Sequence, residues 1–410
     1  MKIRKRDLVN KIMILQIGCV LFLGLVYSYY PWTGVLSYFP DVLNFVLLIC
    51  MIERMKQGIK IEYMWLGLFI MYVAISMLWG DMNSYYIVSN LRRYVTAFII
   101  YFVASEYMTT YYLKKGLNLM LVAQGINAIV TVYQNLVLKL HPDYCNGIFG
   151  FKTYNNAMQG IFCLIISVVA MVYFIDKKWS VYKMIYAIGT SCLICAFAEI
   201  KAYYVLIVIA FIVTIFLRCN DEKIRKKIFS FMVIGIILLL IAYKVLEIVL
   251  PENLSSFFSI SQYIDYEKYG AHGGAGRLTS ISYIYKNDFN RDIFKTLFGC
   301  GLGGAEHNYV YTIGKLFASF GSVGILLFLC WVAYMCVRRF KTIKYSSESL
   351  ISIIILVMII VTLFVWNALF TQVVFFIFWI LGAHNVRTDL VTNELKADNV
   401  QKKYSKGKLV

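Results

Sequence analysis

Charged residues are scarce in this 410-residue chain: Asp, Glu, Lys and Arg make up 15% of it, against roughly a quarter in an ordinary soluble protein. Apolar residues make up 60%, and the mean hydropathy is +0.70. This balance excludes a water-soluble domain. The apolar runs are long enough to cross a bilayer as helices, in which every backbone group is hydrogen-bonded within the segment.

The apolar runs therefore predict an all-α, polytopic integral membrane protein with about twelve transmembrane helices. The predicted spans lie near residues 12–30, 35–52, 63–79, 94–112, 117–138, 157–175, 183–199, 202–217, 228–250, 309–336, 350–367 and 370–385. They divide the chain into helices 1–9 in residues 1–250, a large external loop in residues 251–308, helices 10–12 in residues 309–386 and a basic tail in residues 387–410.

Acidic residues are scarcer than basic ones, 22 against 40, and the net charge is +18. The positive-inside rule explains this excess, because 28 of the 40 Lys and Arg fall on the segments that are cytoplasmic if the N-terminus is cytoplasmic. We therefore expect membrane lipids, and no nucleic acid, to be the partner of these charges. Both termini are predicted to be cytoplasmic, the large loop external, and the first helix uncleaved.

Metal-ligand spacings and internal repeats are also missing. Most of the ten cysteines lie inside predicted spans, where cysteine is usually a small apolar filler, and no zinc signature is present. Only Cys145 and Cys300 are predicted to be external, and the sequence leaves open whether they pair. The absence of a repeat and the unequal halves weigh against a secondary transporter, which is often built from two matching halves.

The polar, glycine-rich residues of the chain are concentrated in the predicted external loop. It contains GGAGR, which ends at Arg277, then LFGCGLGG and AEHN, which ends at Asn308. Helical spacing after the first motif predicts a short helix with Arg277 near its start, carried by Leu278, Ile281, Ile284 and Tyr285. Asn308 is predicted to be the N-cap of the tenth span.

Four elements of the chain occur together in one family of membrane proteins. They are Gly276-Arg277, Phe298-Gly299-Cys300-Gly301-Leu302-Gly303, His307-Asn308 and Gly321-Ser322-Val323-Gly324. Over residues 270–330 the chain thus resembles the O-antigen ligase and Wzy-type polysaccharide polymerase superfamily. Two more elements match only in part: Glu199-Ile200-Lys201-Ala202 has Lys for Arg and lacks the Ser, and Tyr154-Asn155-Asn156-Ala157 lacks the usual Pro.

The resemblance implies transfer of a glycan from an undecaprenyl diphosphate carrier to a sugar hydroxyl at the outer face of a bacterial cytoplasmic membrane, without metal or other cofactor. Cations or helix N-termini must then stabilise the anionic leaving group. Arg277 and His307 are the candidate catalytic residues, with Asp265 or Glu267 as alternative bases. The predicted substrate-binding residues are Lys201, Arg92, Arg93, Asn308, Gly301 and Gly303.

Each of these residues also has a structural interpretation. Arg277 could anchor at the headgroups or cap a turn, Lys201 could extend to the membrane surface, and Arg92 and Arg93 could bind lipid phosphates. His307 could be a solvated residue at a helix start, and the glycines could simply form a bend. The sequence leaves these alternatives open.

The resemblance favours a polymerase that joins lipid-linked oligosaccharide repeats for a capsule, exopolysaccharide or O-antigen. A ligase that transfers the finished glycan shares the same chemistry, and a flippase or exporter is the alternative from another class. A glycosyltransferase with an acidic pair in its first external loop is disfavoured, because residues 30–37 contain no carboxylate. The expected partners are the lipid-linked donor, a glycan or other hydroxyl acceptor, a flippase and a chain-length regulator.

Overall fold

The computed structural model describes most of the chain, and its secondary structure in the described residues is helical, with no strand among them. The described residues are 2–56, 60–80, 84–151, 155–218, 275–304, 310–343, 346–366, 369–370 and 375–384, with single residues at 58, 237, 240, 244 and 264. The prediction of an all-α fold is confirmed.

The α-helices of the described residues are numbered here in chain order. They are α1 (Lys2–Tyr29), α2 (Phe39–Met55), α3 (Ile61–Ile75), α4 (Ser84–Tyr107), α5 (Thr110–Val132), α6 (Asn155–Ile175), α7 (Val181–Phe197), α8 (Lys201–Arg218), α9 (Ser280–Asn287), α10 (Ile293–Phe298), α11 (Thr312–Phe340), α12 (Ser347–Val365) and α13 (Phe376–Gly382).

Eight helices of the described part are long and apolar enough to cross a membrane. They are Lys5–Tyr29, Ile61–Trp79, Ile87–Tyr107, Thr110–Val137, Asn155–Ile175, Lys201–Arg218, Thr312–Phe340 and Ser347–Val365. A polytopic membrane fold is therefore supported. The count of twelve spans and the large loop stay predictions, since most of the ninth span, the basic tail and nearly half of the loop lie outside the described residues.

Helix α6 lies at the centre of the bundle, as shown by the burial of 94% of its most apolar 18-residue stretch. It packs against α5, α7, α8 and α12. Helix α11 packs against α3 and α12 and carries the short helices α9 and α10, whereas α13 packs against α4. Apolar residues on all sides suit α6 to this position.

The predicted span at residues 94–112 corresponds to the spanning helix Ile87–Tyr107, but its predicted end extends across a helix boundary. Helix α4 ends at Tyr107, whose carbonyl accepts hydrogen bonds from the Arg6 guanidinium and the Asn10 amide on α1. Thr109 then caps α5, since its hydroxyl accepts the backbone N–H of Tyr112. Lys114, predicted to lie in a loop, is therefore inside α5.

The bundle end at which α1 begins carries many ion pairs between helices. Glu62 on α3 is fully buried and meets Arg338 on α11 at 2.6 Å and Arg339 at 3.6 Å. His384 and the Tyr101 hydroxyl contact the same carboxylate. This is the end that the positive-inside rule predicts to be cytoplasmic, while the orientation itself stays a prediction. We call the other end, at which α8 and α11 begin, the site end.

Candidate functional site

Helix α11 is broken near its first third, and the glycine-rich segment 299–304 fits into the break. Gly321 has φ 60° and ψ −164°, so the helix changes direction there. A Cβ on Gly321 would lie 2.4 Å from the carbonyl carbon of Leu297, and the Cys300 N–H donates to the carbonyl of Ala318 at 2.7 Å. Backbone thus packs directly on backbone, which only glycine permits.

The same segment also packs against the connection between α3 and α4. Gly301 has φ 86°, and a Cβ there would lie 2.4 Å from the Cα of Gly80. The Tyr72 hydroxyl on α3 is within hydrogen-bond distance of the carbonyls of Phe298, at 3.2 Å, and Phe320, at 3.0 Å. Gly301 and Gly303 therefore have a structural role in fixing the segment, and their contact with a diphosphate stays a prediction.

Arg277 lies in the turn before α9, close to the position expected from the sequence. Its guanidinium carbon is 5.6 Å from the ring centroid of Tyr311, within the range of a cation–π contact. The Tyr311 N–H donates to the Ser280 hydroxyl, which donates to the carbonyl of Gly276. The turn that carries Arg277 is thereby tied to the start of α11.

Two expectations for this region are wrong. Helix α11 begins at Thr312 with Tyr311 at its N-cap, so Asn308 does not cap it. Leu278 does not belong to the predicted helix, because α9 begins at Ser280, and its side chain is 75% exposed, whereas Ile284 within α9 is fully buried. The start of α11 is instead fixed by Thr312, whose hydroxyl donates to the carbonyl of Trp366 at 2.6 Å.

Lys201 is the first residue of α8, directly after a tight turn from α7. In this turn the N–H of Ile200 bonds to the carbonyl of Cys195 at 2.8 Å and the N–H of Glu199 to that of Ala196 at 3.3 Å. These two bonds define a Schellman motif, whose left-handed position is usually taken by glycine. Glu199 occupies that position with φ 49°, at a cost of about 1–2 kcal/mol.

Two asparagine side chains hold this turn from neighbouring elements. The Asn135 amide, after the end of α5, donates to the carbonyl of Phe197, and the Asn156 amide on α6 donates to that of Ala198, both at 3.1 Å. Asn156 belongs to the motif that matches the resembled family in part. Its observed role is to fix the backbone from which Lys201 extends.

Trp366 brings the starts of α8 and α11 together. A Cβ on Gly160 would lie 2.8 Å from the Trp366 indole and 2.9 Å from the side chain of Ile200, so both side chains pack on the same glycine. The carbonyl of Trp366 also accepts the hydroxyl of Thr312. Both helix N-termini, each with a partial positive charge, therefore lie at the site end near one tryptophan.

Lys201 and Arg277 lie within electrostatic range of each other, although they are far apart in the sequence. Glu199 interacts through space with Lys201 and with Asp143 and His141 of the preceding loop. Burial is the largest influence on Glu199 and raises the pKa of its carboxyl above the usual value. The site end thus combines two cations, two helix N-termini and a partly buried carboxylate, an arrangement that can bind a diphosphate and handle a proton.

The other predicted site residues either have protein partners or lie outside the described residues. Arg92 pairs with Asp41 on α2 at 3.1 Å, and Arg93 bonds to Asn90 on its own helix at 3.1 Å. His307, Asn308, Asp265 and Glu267 lie outside the described part of the chain. Cys145 and Cys300 are both free, so no disulfide joins them.

Sequence reasoning missed Glu199 and Tyr311 as members of the site. Glu199 itself was a usable signal, because it and Lys201 are the two charged residues within a long apolar stretch. No protein-family model matches the chain, and no curated protein matches it significantly. The family resemblance described above therefore stays a prediction.

Proposed function

We propose that the chain is a membrane glycosyltransferase that polymerises undecaprenyl-diphosphate-linked oligosaccharide repeats into a surface polysaccharide, on the outer face of the cytoplasmic membrane. The observation that carries the proposal is that Lys201, at the start of α8, lies within electrostatic range of Arg277, beside the start of α11. Two cations repel each other, and an anion with several charges that binds between them replaces this repulsion by attraction.

The proposed roles follow from the charge that develops during transfer. Breaking the bond between the sugar and the lipid diphosphate leaves negative charge on the phosphate oxygens, which Lys201 and Arg277 neutralise. Arg277 suits this role because its planar guanidinium can donate two parallel hydrogen bonds to phosphate. The α8 and α11 backbone N–H groups add donors that do not depend on pH.

The test uses purified protein in liposomes with a synthetic polyprenyl-diphosphate-linked repeat, and product length is read on a gel and by mass spectrometry. Arg277→Ala should lower transfer by about 10²–10³-fold, the usual cost of losing one group that stabilises developing charge. Lys286→Ala is the matched control, because Lys286 is an exposed cation on α9 in the same segment. It should leave the product ladder unchanged.

Each other result has a distinct meaning. An unchanged ladder with Arg277→Ala would remove Arg277 from the site. Transfer of a single glycan to a second lipid or to protein, without chain growth, would favour a ligase. Movement of the intact lipid-linked repeat across the liposome bilayer, without any new glycosidic bond, would favour a flippase.

A further inference from the structure

Glu199 is held in a backbone conformation that its residue type disfavours. Its φ of 49° lies in the left-handed region, at the Schellman position where glycine or asparagine is usual. Residues kept in such conformations cluster at functional sites, so an observed outlier is a reason to ask what its side chain does. Glycine would form this turn with less strain, so the turn alone does not explain a glutamate here.

The Glu199 side chain lies beside the cation pair and has no hydrogen-bond partner among the residues that the structure describes. It is half-buried and lies two residues before Lys201, which in turn lies near Arg277. The charges of Asp143 and His141, from the loop between α5 and α6, also act on it. Its carboxylate oxygens are therefore available next to the proposed diphosphate site.

The backbone around Glu199 is fixed from three directions. The Asn135 amide bonds to the carbonyl of Phe197, the Asn156 amide bonds to that of Ala198, and Ile200 packs on Gly160 beside Trp366. A general base must be held at hydrogen-bond reach of the proton that it removes. This turn provides such a support, since it is anchored to α5, α6 and the residue that follows α12.

We propose that Glu199 is the general base that deprotonates the acceptor hydroxyl during glycan transfer, which rests on the function proposed above. The acceptor O–H bond breaks and its proton passes to the Glu199 carboxylate, while the acceptor oxygen forms a bond to the anomeric carbon of the donor. The bond from that carbon to the diphosphate breaks, and its electron pair leaves with the polyprenyl diphosphate held by Lys201 and Arg277. Glu199 then releases the proton to water.

Electrostatics supports this role independently of the geometry. Burial, with a smaller contribution from Asp143, raises the pKa of Glu199, whereas Lys201 and His141 lower it. The net direction is upward, which brings the carboxyl closer to neutral pH and makes its anion a stronger base than an ordinary glutamate. Transfer should therefore fall on acidification, with a midpoint above the usual glutamate range.

The deciding variant is Glu199→Gly, because glycine suits the left-handed position and removes the side chain with its carboxylate without straining the turn. We expect its thermal midpoint to be unchanged or higher and its affinity for the lipid-linked donor to be unchanged. Its transfer rate should fall by about 10²–10⁴-fold, the usual contribution of general acid–base catalysis. Glu199→Asn tests the same loss of charge with a second residue that tolerates this conformation, and Glu199→Asp should keep part of the activity.

Two further readouts separate a base from a residue that only shapes the turn. The acidic limb of the wild-type pH profile should disappear in Glu199→Gly, and added formate should restore part of its transfer but none in Arg277→Ala. Full transfer by Glu199→Gly would overturn the proposal. The proposal would also be overturned if the acidic limb of the pH profile persisted in Glu199→Gly and disappeared in His307→Ala. If the wild type binds no lipid diphosphate and makes no glycosidic bond, the proposed function fails and this inference fails with it.

Discussion

At the end of the bundle where α1 begins, Glu62, Glu106 and Glu348 each make ion pairs with side chains of other segments, whereas Glu199 at the site end makes none in the described chain. Glu106, for example, contacts Arg54 at 2.9 Å and Lys60 at 2.5 Å. Glu348 contacts Lys178 at 2.5 Å. Around Lys201 and Arg277 the site end is held by glycine backbone packing and by hydrogen bonds to carbonyl groups, and elsewhere at this end Arg92 pairs with Asp41.

The difference indicates that the buried ion pairs at the α1 end stabilise the fold, whereas the charged groups at the site end suit the proposed chemistry. A carboxylate whose oxygens are occupied by buried cations holds helices together but cannot easily exchange a proton. Lys201, Arg277 and Glu199 are the charged groups that we propose to act on a substrate at the site end.

The largest expected effect comes from breaking the ion pairs at the α1 end. Glu62→Gln leaves the fully buried Arg339 without its anion, so we expect the protein to lose about 3–5 kcal/mol of stability. The measurement is thermal unfolding of the purified protein in detergent, together with its yield in membranes. The double change Glu62→Gln with Arg339→Met should recover much of the loss, because it removes the buried charge as well. An unchanged midpoint in Glu62→Gln would show that this end does not depend on the pair.

A smaller effect is expected at the site end from Gly301→Ala. The new methyl group would press on the Gly80 backbone and the residue would keep an unfavourable φ, so we expect a loss of about 1–3 kcal/mol and weaker donor binding. Gly189→Ala on α7 is the control, because no atom lies within 4 Å of its added Cβ. It should be neutral or stabilising by up to about 1 kcal/mol. Weaker donor binding at an unchanged midpoint would instead support direct contact between Gly301 and the diphosphate.

The smallest expected effect comes from removing a charge near Glu199. The negative charge of Asp143 raises the pKa of Glu199, so Asp143→Asn should lower that pKa and move the acidic limb of transfer to lower pH. The expected shift is small, because Asp143 is exposed to water. Added salt should shrink the difference between variant and wild type. A shift to higher pH would contradict the proposed arrangement.

Much of the helical framework could be predicted from the sequence, since a long apolar run leaves the backbone few alternatives. The predicted span 157–175 corresponds to Asn155–Ile175, and 202–217 to Lys201–Arg218. The predicted span boundaries differ from the observed helix ends where charged residues lie inside a helix. Glu62 and Arg339 lay outside the predicted spans, yet α3 and α11 include them, because each charge is neutralised by the other inside the bundle.

The site could be predicted only in part. The family motifs named Lys201 and Arg277, and the structure places them within electrostatic range. The sequence shows Glu199 two residues before Lys201, but it does not show the left-handed turn or the loop near residue 141 that place its side chain, so Glu199 was missed as a site residue. The role of His307 stays a prediction.

The packing of the glycine-rich segment 299–304 against α3 affects the order in which the protein is assembled. Tyr72 joins the carbonyls of Phe298 and Phe320, which follow it by 226 and 248 residues. At a synthesis rate of about 5–20 residues per second, Tyr72 and Gly80 are made roughly 10–50 s before their partners leave the ribosome. The surface of α3 that contacts the glycine-rich segment therefore lacks its partner throughout most of translation. The site end is completed only as one of the last steps of membrane assembly.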